Sequence, residues 1–449
     1  MLIVLFLTIC LLMIWTEYKI TNRLINIISV FAIPYMLIIP LNNWIMTSFG
    51  FYEISNNVIL MIFSALVLIF IGSLISNFKK IKFNIGGNLV TDFKNYISKP
   101  KEKKDSGNNK FQFYKIDKMR NYIFIIELIT FCRLLYIIMT HGFYFLQNDE
   151  FSGVLIKGIL GHLFLTIYPL IPIVFYYWLK HKDEWTYLLS TVFGITLLFF
   201  TFVKYHSIGM VLLIYLFVSM EDHKYLFKGA TFVGIVICSL FILSYFAVFF
   251  VRGITSVVSV NYYFNHLWNY IAGSLIYDNL IFTDGVRVGT GLLYKIGTFV
   301  LTPLNLFLLK FFNIELCPHE VLAHLPVGTN GEEGNVVDAF GYLFPSKGSI
   351  YEILAWGIFL IVVGVVFALI YNNLLKNKDE FSISICIFLT FFIAFSFFGT
   401  FYIHFLCWEV LMWSFIIPKF FDGRFIEKIK DKSSLINNFV QNRWLGERK

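Results

Sequence analysis

Apolar runs of roughly 14 to 27 residues, separated by short polar connections, occupy most of this chain. A helix needs about 20 such residues to cross the hydrocarbon core of a bilayer. On that basis the pattern predicts eleven spans, at about 2–15, 24–45, 58–76, 121–139, 159–179, 186–203, 206–220, 225–251, 351–372, 381–399 and 401–418. Two of these are shorter than a full crossing and imply broken or tilted helices. Met1–Trp15 lacks the basic start and small-residue cleavage site of a signal peptide, so it reads as a retained span.

One interval departs from the pattern. Residues 252–350 combine Tyr262, Tyr263, Trp268, Tyr270, Tyr277 and Tyr294 with several glycines and a polar stretch at His319–Asn335. Segment 289–312 is apolar enough to dip into the bilayer, as a re-entrant hairpin around Pro303 would. Loops longer than about 12–15 residues are usually functional, so this interval is where a site is expected. The fold expected is an all-α polytopic integral membrane protein, with about eleven transmembrane helices and one large outer loop containing short interfacial or re-entrant helices. Its units are spans 1–3 (1–76), a basic loop (77–120), spans 4–8 (121–251), the large loop (252–350), spans 9–11 (351–418) and a basic tail (419–449).

Composition agrees: 58% of the residues are apolar and only 14% are charged, against about a quarter charged in soluble domains. A water-soluble enzyme is excluded on that ground. The net charge of +8 would suggest nucleic acid in a soluble protein, but here the excess lies between spans. Residues 77–120 carry 12 Lys/Arg and 4 acids, and one alternating set of connections holds 28 of the 36 Lys/Arg. Lys and Arg favour cytoplasmic connections, so the amino terminus and the 252–350 loop are expected outside and the tail inside. Lys99–Asp105 reads as a solvated linker and Arg424–Phe439 as an interfacial helix. Five of the six cysteines fall in apolar runs, and neither a disulfide framework nor metal-ligand spacing is present.

Signatures of soluble enzymes are absent. His319-Glu320 and His324 resemble a zinc-protease helix, but that motif needs two histidines four apart on one face. Here they are five apart, which turns the second about 140° away. No metal and no cofactor is expected. Glu127 and Arg133 share the fourth span, six residues apart and about 120° around the helix, so each needs another partner. Arg133, His162, Lys204, His206 and Arg252 lie at the outer ends of spans, against the cytoplasmic bias. A cationic rim of this kind suits a phosphate-bearing lipid. The loop adds Asp278, Asp284, Glu320, Glu332, Glu333 and Asp338, with Arg287, Lys295 and Lys347. Sugar transfer from a lipid diphosphate needs cations for the leaving group and a base for the attacking hydroxyl, and the loop supplies both.

The chain combines many spans, a basic inner loop after the third, and a short span opening with Lys204-Tyr-His-Ser207-Ile-Gly209. It has also one dominant outer loop, with Tyr270–Asp278 early in it and Asn335, Val336, Tyr342 and Gly348 before the ninth span. This arrangement resembles the Wzy-type repeat-unit polymerases of bacterial O-antigen and capsule synthesis. Ser346 stands where the family commonly has Asp, and Lys204 where relatives commonly carry Arg. The resemblance implies a glycosyltransferase of the bacterial plasma membrane. It would move a growing glycan from undecaprenyl diphosphate onto a new lipid-linked repeat unit at the outer face. Its partners would be that lipid-linked oligosaccharide, the bilayer, a chain-length regulator and a flippase, with no nucleic acid. In this reading Arg252, Arg287 and Lys204, with Arg133, His206 and Tyr342, hold the diphosphate or sugar. His319, His324, Glu320 or Asp338 acts as base, and the aromatics of 262–277 stack on sugars or form an interfacial belt.

A lipid-linked oligosaccharide flippase and an O-antigen ligase are the alternatives. A transporter tends to show internal repeats and midplane polar residues, whereas here no repeat is visible and the polar residues gather at one face. The ligase shares the leaving group and differs in acceptor. An inner-face acyltransferase would need a His/Asp arrangement that the inner loops do not offer.

Overall fold

A computed structural model describes residues 1–78, 115–142, 154–201, 203–252, 258–283, 292–316, 324–329, 331–334, 336–345, 348–376, 378–399 and 405–421. Six helices among them are long and apolar enough to cross a membrane: Leu2–Thr21, Ile27–Trp44, Asn56–Asn77, Ile116–His141, Tyr225–Leu243 and Ile350–Leu375. Further apolar helices are shorter, and the architecture is that of an all-α membrane protein.

Four helices make the most extensively packed part of the bundle: α1 (Leu2–Thr21), α2 (Ile27–Trp44), α3 (Asn56–Asn77) and, far along the chain, the helix Ile350–Lys376. Local chemistry fixes the turns between them. Asn22 ends α1 in the left-handed conformation, which asparagine tolerates better than most residues. Asn26 and Ser29 then form a reciprocal capping box that starts α2. Glu17 of α1 accepts from the Ile28 N–H at 2.9 Å and from the Ser73 hydroxyl of α3 at 2.6 Å. One buried carboxyl thereby satisfies an orphan donor at the start of α2 and ties three helices together.

The second group comprises α4 (Ile116–His141), α5 (Gly158–Leu165), α6 (Ile171–Lys180), α7 (Trp185–Phe199), α8 (Lys204–Glu221) and α9 (Tyr225–Arg252). The expected fifth span at 159–179 is not one helix. It breaks at Thr166–Leu170 into α5 and α6. Pro169 and Pro172 explain the break, because proline removes a donor and biases the residue before it away from the helical region. Glu127 of α4 accepts from the Ser190 hydroxyl of α7 at 3.2 Å and is fully buried. That is a helix–helix contact, so Glu127→Gln is expected to change stability by no more than about 1 kcal/mol, as read by thermal unfolding in detergent.

The large-loop interval holds longer helices than the short ones expected: α10 (Val258–Thr283) and α11 (Leu292–Phe312). The latter runs as a single helix past Pro303 rather than as a hairpin about it. A two-stranded ribbon follows, β1 (Leu325–Pro326) and β2 (Glu333–Gly334), antiparallel with Leu325 opposite Gly334. The ribbon docks on the α2–α3 connection: the Tyr52 N–H donates to the Val327 carbonyl at 3.1 Å and the Thr329 N–H to that of Gly50 at 2.8 Å. Gly328 permits the approach, since a Cβ there would lie 2.8 Å from the Gly50 oxygen. Trp268 of α10 donates to Asn42 of α2, and Asn279 bridges the Ser55 N–H and the Glu53 carbonyl. The interval and the α2–α3 connection therefore sit at the same end of the bundle.

After the ribbon come α12 (Ala339–Leu343), α13 (Ile350–Lys376), α14 (Lys378–Ile387) and α15 (Phe405–Phe421). Between α14 and α15 the chain widens into a π-turn at Phe388–Ile393 and tightens to a 3-10 turn at Ala394–Phe397. Such local rewinding re-aims the residues beyond it. Here it brings Ser396, Phe397 and Phe398 against α2 and α10.

Candidate active site

On α10, His266, Asn269, Tyr270, Gly273, Ser274 and Asp278 recur at three- and four-residue spacing, which puts them on one face. That face meets the ribbon and the chain after the π-turn. Between them lies a pocket of about 280 Å³ lined by His266, Tyr270, Ser274, His324, Glu333 and Phe398, among others. Tyr270 stacks on Phe398 with ring centroids 5.9 Å apart, and His266 stands edge-on to Tyr270 at 5.1 Å. The Ser274 hydroxyl donates to the Phe397 carbonyl at 2.5 Å and closes that wall.

Two polar links fix the mouth. Nδ1 of His266 lies 3.4 Å from Oε2 of Glu332, and the Asn269 amide donates to the Glu333 carbonyl at 2.9 Å. Glu332 is buried, and burial raises its pKa despite a hydrogen bond from Asn269. Both links join α10 to β2 and the residue before it, so the ribbon is held over the helix by the pocket's own polar groups.

One turn beyond Ser274, Asp278 lies beside Asp338, both without solvent exposure. Asp338 N-caps α12 through the Gly341 N–H and accepts from the Tyr35 hydroxyl of α2 at 2.8 Å. Neither carboxyl oxygen of Asp278 has a hydrogen-bond partner of good geometry among the described residues, and its carboxyl packs where a Cβ on Gly341 would be. Burial, then the neighbouring Asp338 charge, push Asp278 well above the ordinary carboxyl range. Asp338 is raised too, by burial, against hydrogen bonds from the Gly341 N–H and Tyr35. Two carboxyls so placed resist ionising together.

The residues expected from sequence are distributed as follows. His324 is exposed and lines the pocket. Asp338 is buried in the carboxyl pair. Tyr342 is buried on α12, with the Lys295 ammonium 5.9 Å from its ring centroid. Arg133 donates to the Lys157 carbonyl at 3.0 Å and that of Leu155 at 3.4 Å, bracing the entry to α5. His206 is buried, its Nδ1 2.8 Å from the Tyr168 hydroxyl in the α5–α6 break. His162 meets Glu409 of α15 at 2.9 Å, and Trp413 donates to the same carboxylate. None of Arg133, His162, His206 and Tyr342 lines the pocket. Lys204 opens α8 and Arg252 ends α9, with their side chains outside the described set; His319, Glu320 and Arg287 lie outside the described residues altogether.

His266 and Tyr35 were not among the expected residues. Helical spacing from His266 through Ser274 to Asp278 could have shown the first, but nothing local links Tyr35 to Asp338, 303 residues away. Comparison with known proteins gives no match: no family model, curated protein or solved structure matches the chain.

Proposed function

We propose that this chain is a membrane glycosyltransferase that polymerises lipid-diphosphate-linked oligosaccharides at the outer face of a bacterial plasma membrane. The observation that carries the reading is the α10 pocket. It is a concave, aromatic-walled site with imidazole and carboxylate groups, formed by α10, the ribbon and Phe398. Aromatic faces suit the apolar faces of sugar rings, and the polar rim supplies hydrogen-bond partners and a base for a hydroxyl. The charge distribution along the sequence supports an outward-facing site.

In this reading Arg252 and Arg287, with Lys204, neutralise charge on the leaving lipid diphosphate. The test is incubation of purified protein with lipid-linked repeat units, followed by gel analysis. A ladder of chain lengths is expected, and Arg252→Ala and Arg287→Ala should shorten it. A single addition onto lipid A core would assign a ligase instead, and transfer of lipid between leaflets without covalent product would assign a transporter. Sidedness has its own measurement. Thr329→Cys on the ribbon should react with a membrane-impermeant thiol reagent in intact spheroplasts, and labelling only after lysis would place the pocket inside.

A further inference from the structure

The α10 pocket holds two imidazoles, and their surroundings differ. His324 is exposed at the rim. His266 is half-buried on a helix, with one ring nitrogen facing a nearly buried carboxylate and one ring edge against Tyr270. A carboxylate on Nδ1 fixes the tautomer and orientation of an imidazole and favours its protonated form during reaction. A base built this way works through Nε2. The 3.4 Å separation is long for a hydrogen bond, as such contacts often are before a substrate closes the site.

At about 280 Å³ the pocket is near the low end of small-molecule sites, which run from about 300 to 1,000 Å³. That volume can seat a single sugar ring. Tyr270 and Phe398, packed on each other, give the pocket an apolar aromatic wall for the ring. Asn269 and Glu333 add polar groups to the lining that can bond sugar hydroxyls.

We propose that His266, oriented by Glu332, is the general base for the acceptor, and that the pocket holds the terminal sugar ring of the lipid-linked acceptor against Tyr270 and Phe398. This rests on the polymerase reading and names the residue that starts its chemistry. The acceptor hydroxyl gives its proton to Nε2 of His266 as its oxygen forms a bond to the donor's anomeric carbon. The bond from that carbon to the diphosphate oxygen breaks, and its electron pair leaves on the lipid diphosphate. The imidazolium, stabilised by Glu332, then returns the proton to water. Glu332 is a positioning residue in this scheme, since it acts on substrate only through the ring.

The experiment measures chain extension by purified wild type, His266→Ala, His266→Gln and Glu332→Gln on lipid-linked repeat units across pH. Glu127→Gln, remote from the pocket, is the control. Loss of a general base typically costs about 10²–10⁴-fold in rate, and that loss is expected for both His266 variants with acceptor KM little changed. The inflection on the acid limb of the wild-type pH profile should vanish in them, and added imidazole should restore part of the His266→Ala rate. Glu332→Gln should lose less, about tenfold, and shift the inflection downward. A His266→Ala enzyme that keeps the wild-type rate and pH profile overturns the assignment while leaving the polymerase reading intact. So does a rate loss with the inflection unmoved and no imidazole rescue, which would make His266 structural. A wild-type protein that forms no glycosidic product overturns the polymerase reading and the assignment together.

Discussion

Gly364→Leu should leave no folded protein to recover from membranes, and Gly72→Leu should do the same. The two glycines face each other across α3 and α13, the most extensive helix contact among the described residues. A Cβ on Gly72 would overlap the Ile361 carbonyl oxygen and lie 2.8 Å from the Val365 nitrogen and 2.9 Å from the Gly364 Cα. A Cβ on Gly364 would overlap the Ile69 oxygen and lie 2.9 Å from its carbonyl carbon. These neighbours are backbone, so no side chain can rotate away. In lipid, helices associate largely through close packing of small residues, because apolar burial gives little preference between a helix and a lipid tail. Alanine at either site should therefore cost about 1–3 kcal/mol, and leucine more than the contact can absorb. Size-exclusion chromatography of detergent-extracted protein reads the outcome: a monodisperse peak for Gly364→Leu would show that α3 and α13 do not touch there. Gly357 is the control, since a Cβ there meets only Leu68 at 3.8 Å.

That contact was not legible in the sequence, although the helices that make it were. Apolar run length placed α2, α3 and α13 to within four residues, because a membrane span must satisfy its own backbone hydrogen bonds over a fixed thickness. Helix α1 runs six residues further and α4 starts five earlier than expected, through polar positions that run length does not count. Run length is blind to partners: α3 and α13 lie almost three hundred residues apart. It is also blind to interruption. Pro169 and Pro172 break the expected fifth span, yet α2 continues through Pro34 and Pro40 and α11 through Pro303. Proline is tolerated in a membrane helix when neighbouring groups take up the freed carbonyl, which is tertiary information.

The site was legible in part and for similar reasons. His324, Asp338 and the aromatics of 262–277 stood out because polar and aromatic groups in an otherwise apolar chain need a reason to be there. His266 did not, since its significance comes from Glu332, 66 residues on, reached only once the ribbon folds back over α10. The cationic rim shows the opposite case. Arg133, His162 and His206, expected as part of that rim, are each engaged with a group inside the protein. Charge at an interface is readable from sequence, whereas the partner that occupies it is not.

Asp278→Asn should flatten the dependence of thermal stability on pH and raise the unfolding temperature at pH 8. In the folded protein burial raises both Asp278 and Asp338 above the ordinary aspartate value, which is about 3.9. Between that value and the raised ones the folded pair holds more protons than the unfolded chain. Stability then falls as pH rises, since its slope follows the protons bound by the unfolded state minus those bound by the native state. The pair's contribution to stability is thus fullest in mild acid and is lost from about pH 4 upward. An amide at 278 keeps the shape and carries no charge to bury. Glu332, also raised by burial, contributes a slope of the same sign. Asp222, where burial is outweighed by hydrogen bonds from Lys180 and Lys224, is lowered and titrates beneath that window. Both are unchanged in the variant, so the difference between the two melting curves isolates the pair. Asp338→Ala should behave differently. It removes the α12 cap and takes away the Tyr35 hydroxyl's carboxylate partner, at a cost of about 2–4 kcal/mol. Parallel pH profiles for wild type and Asp278→Asn would mean that Asp278 stays ionised in the folded protein. The orphaned oxygens of Asp278 would then need another partner.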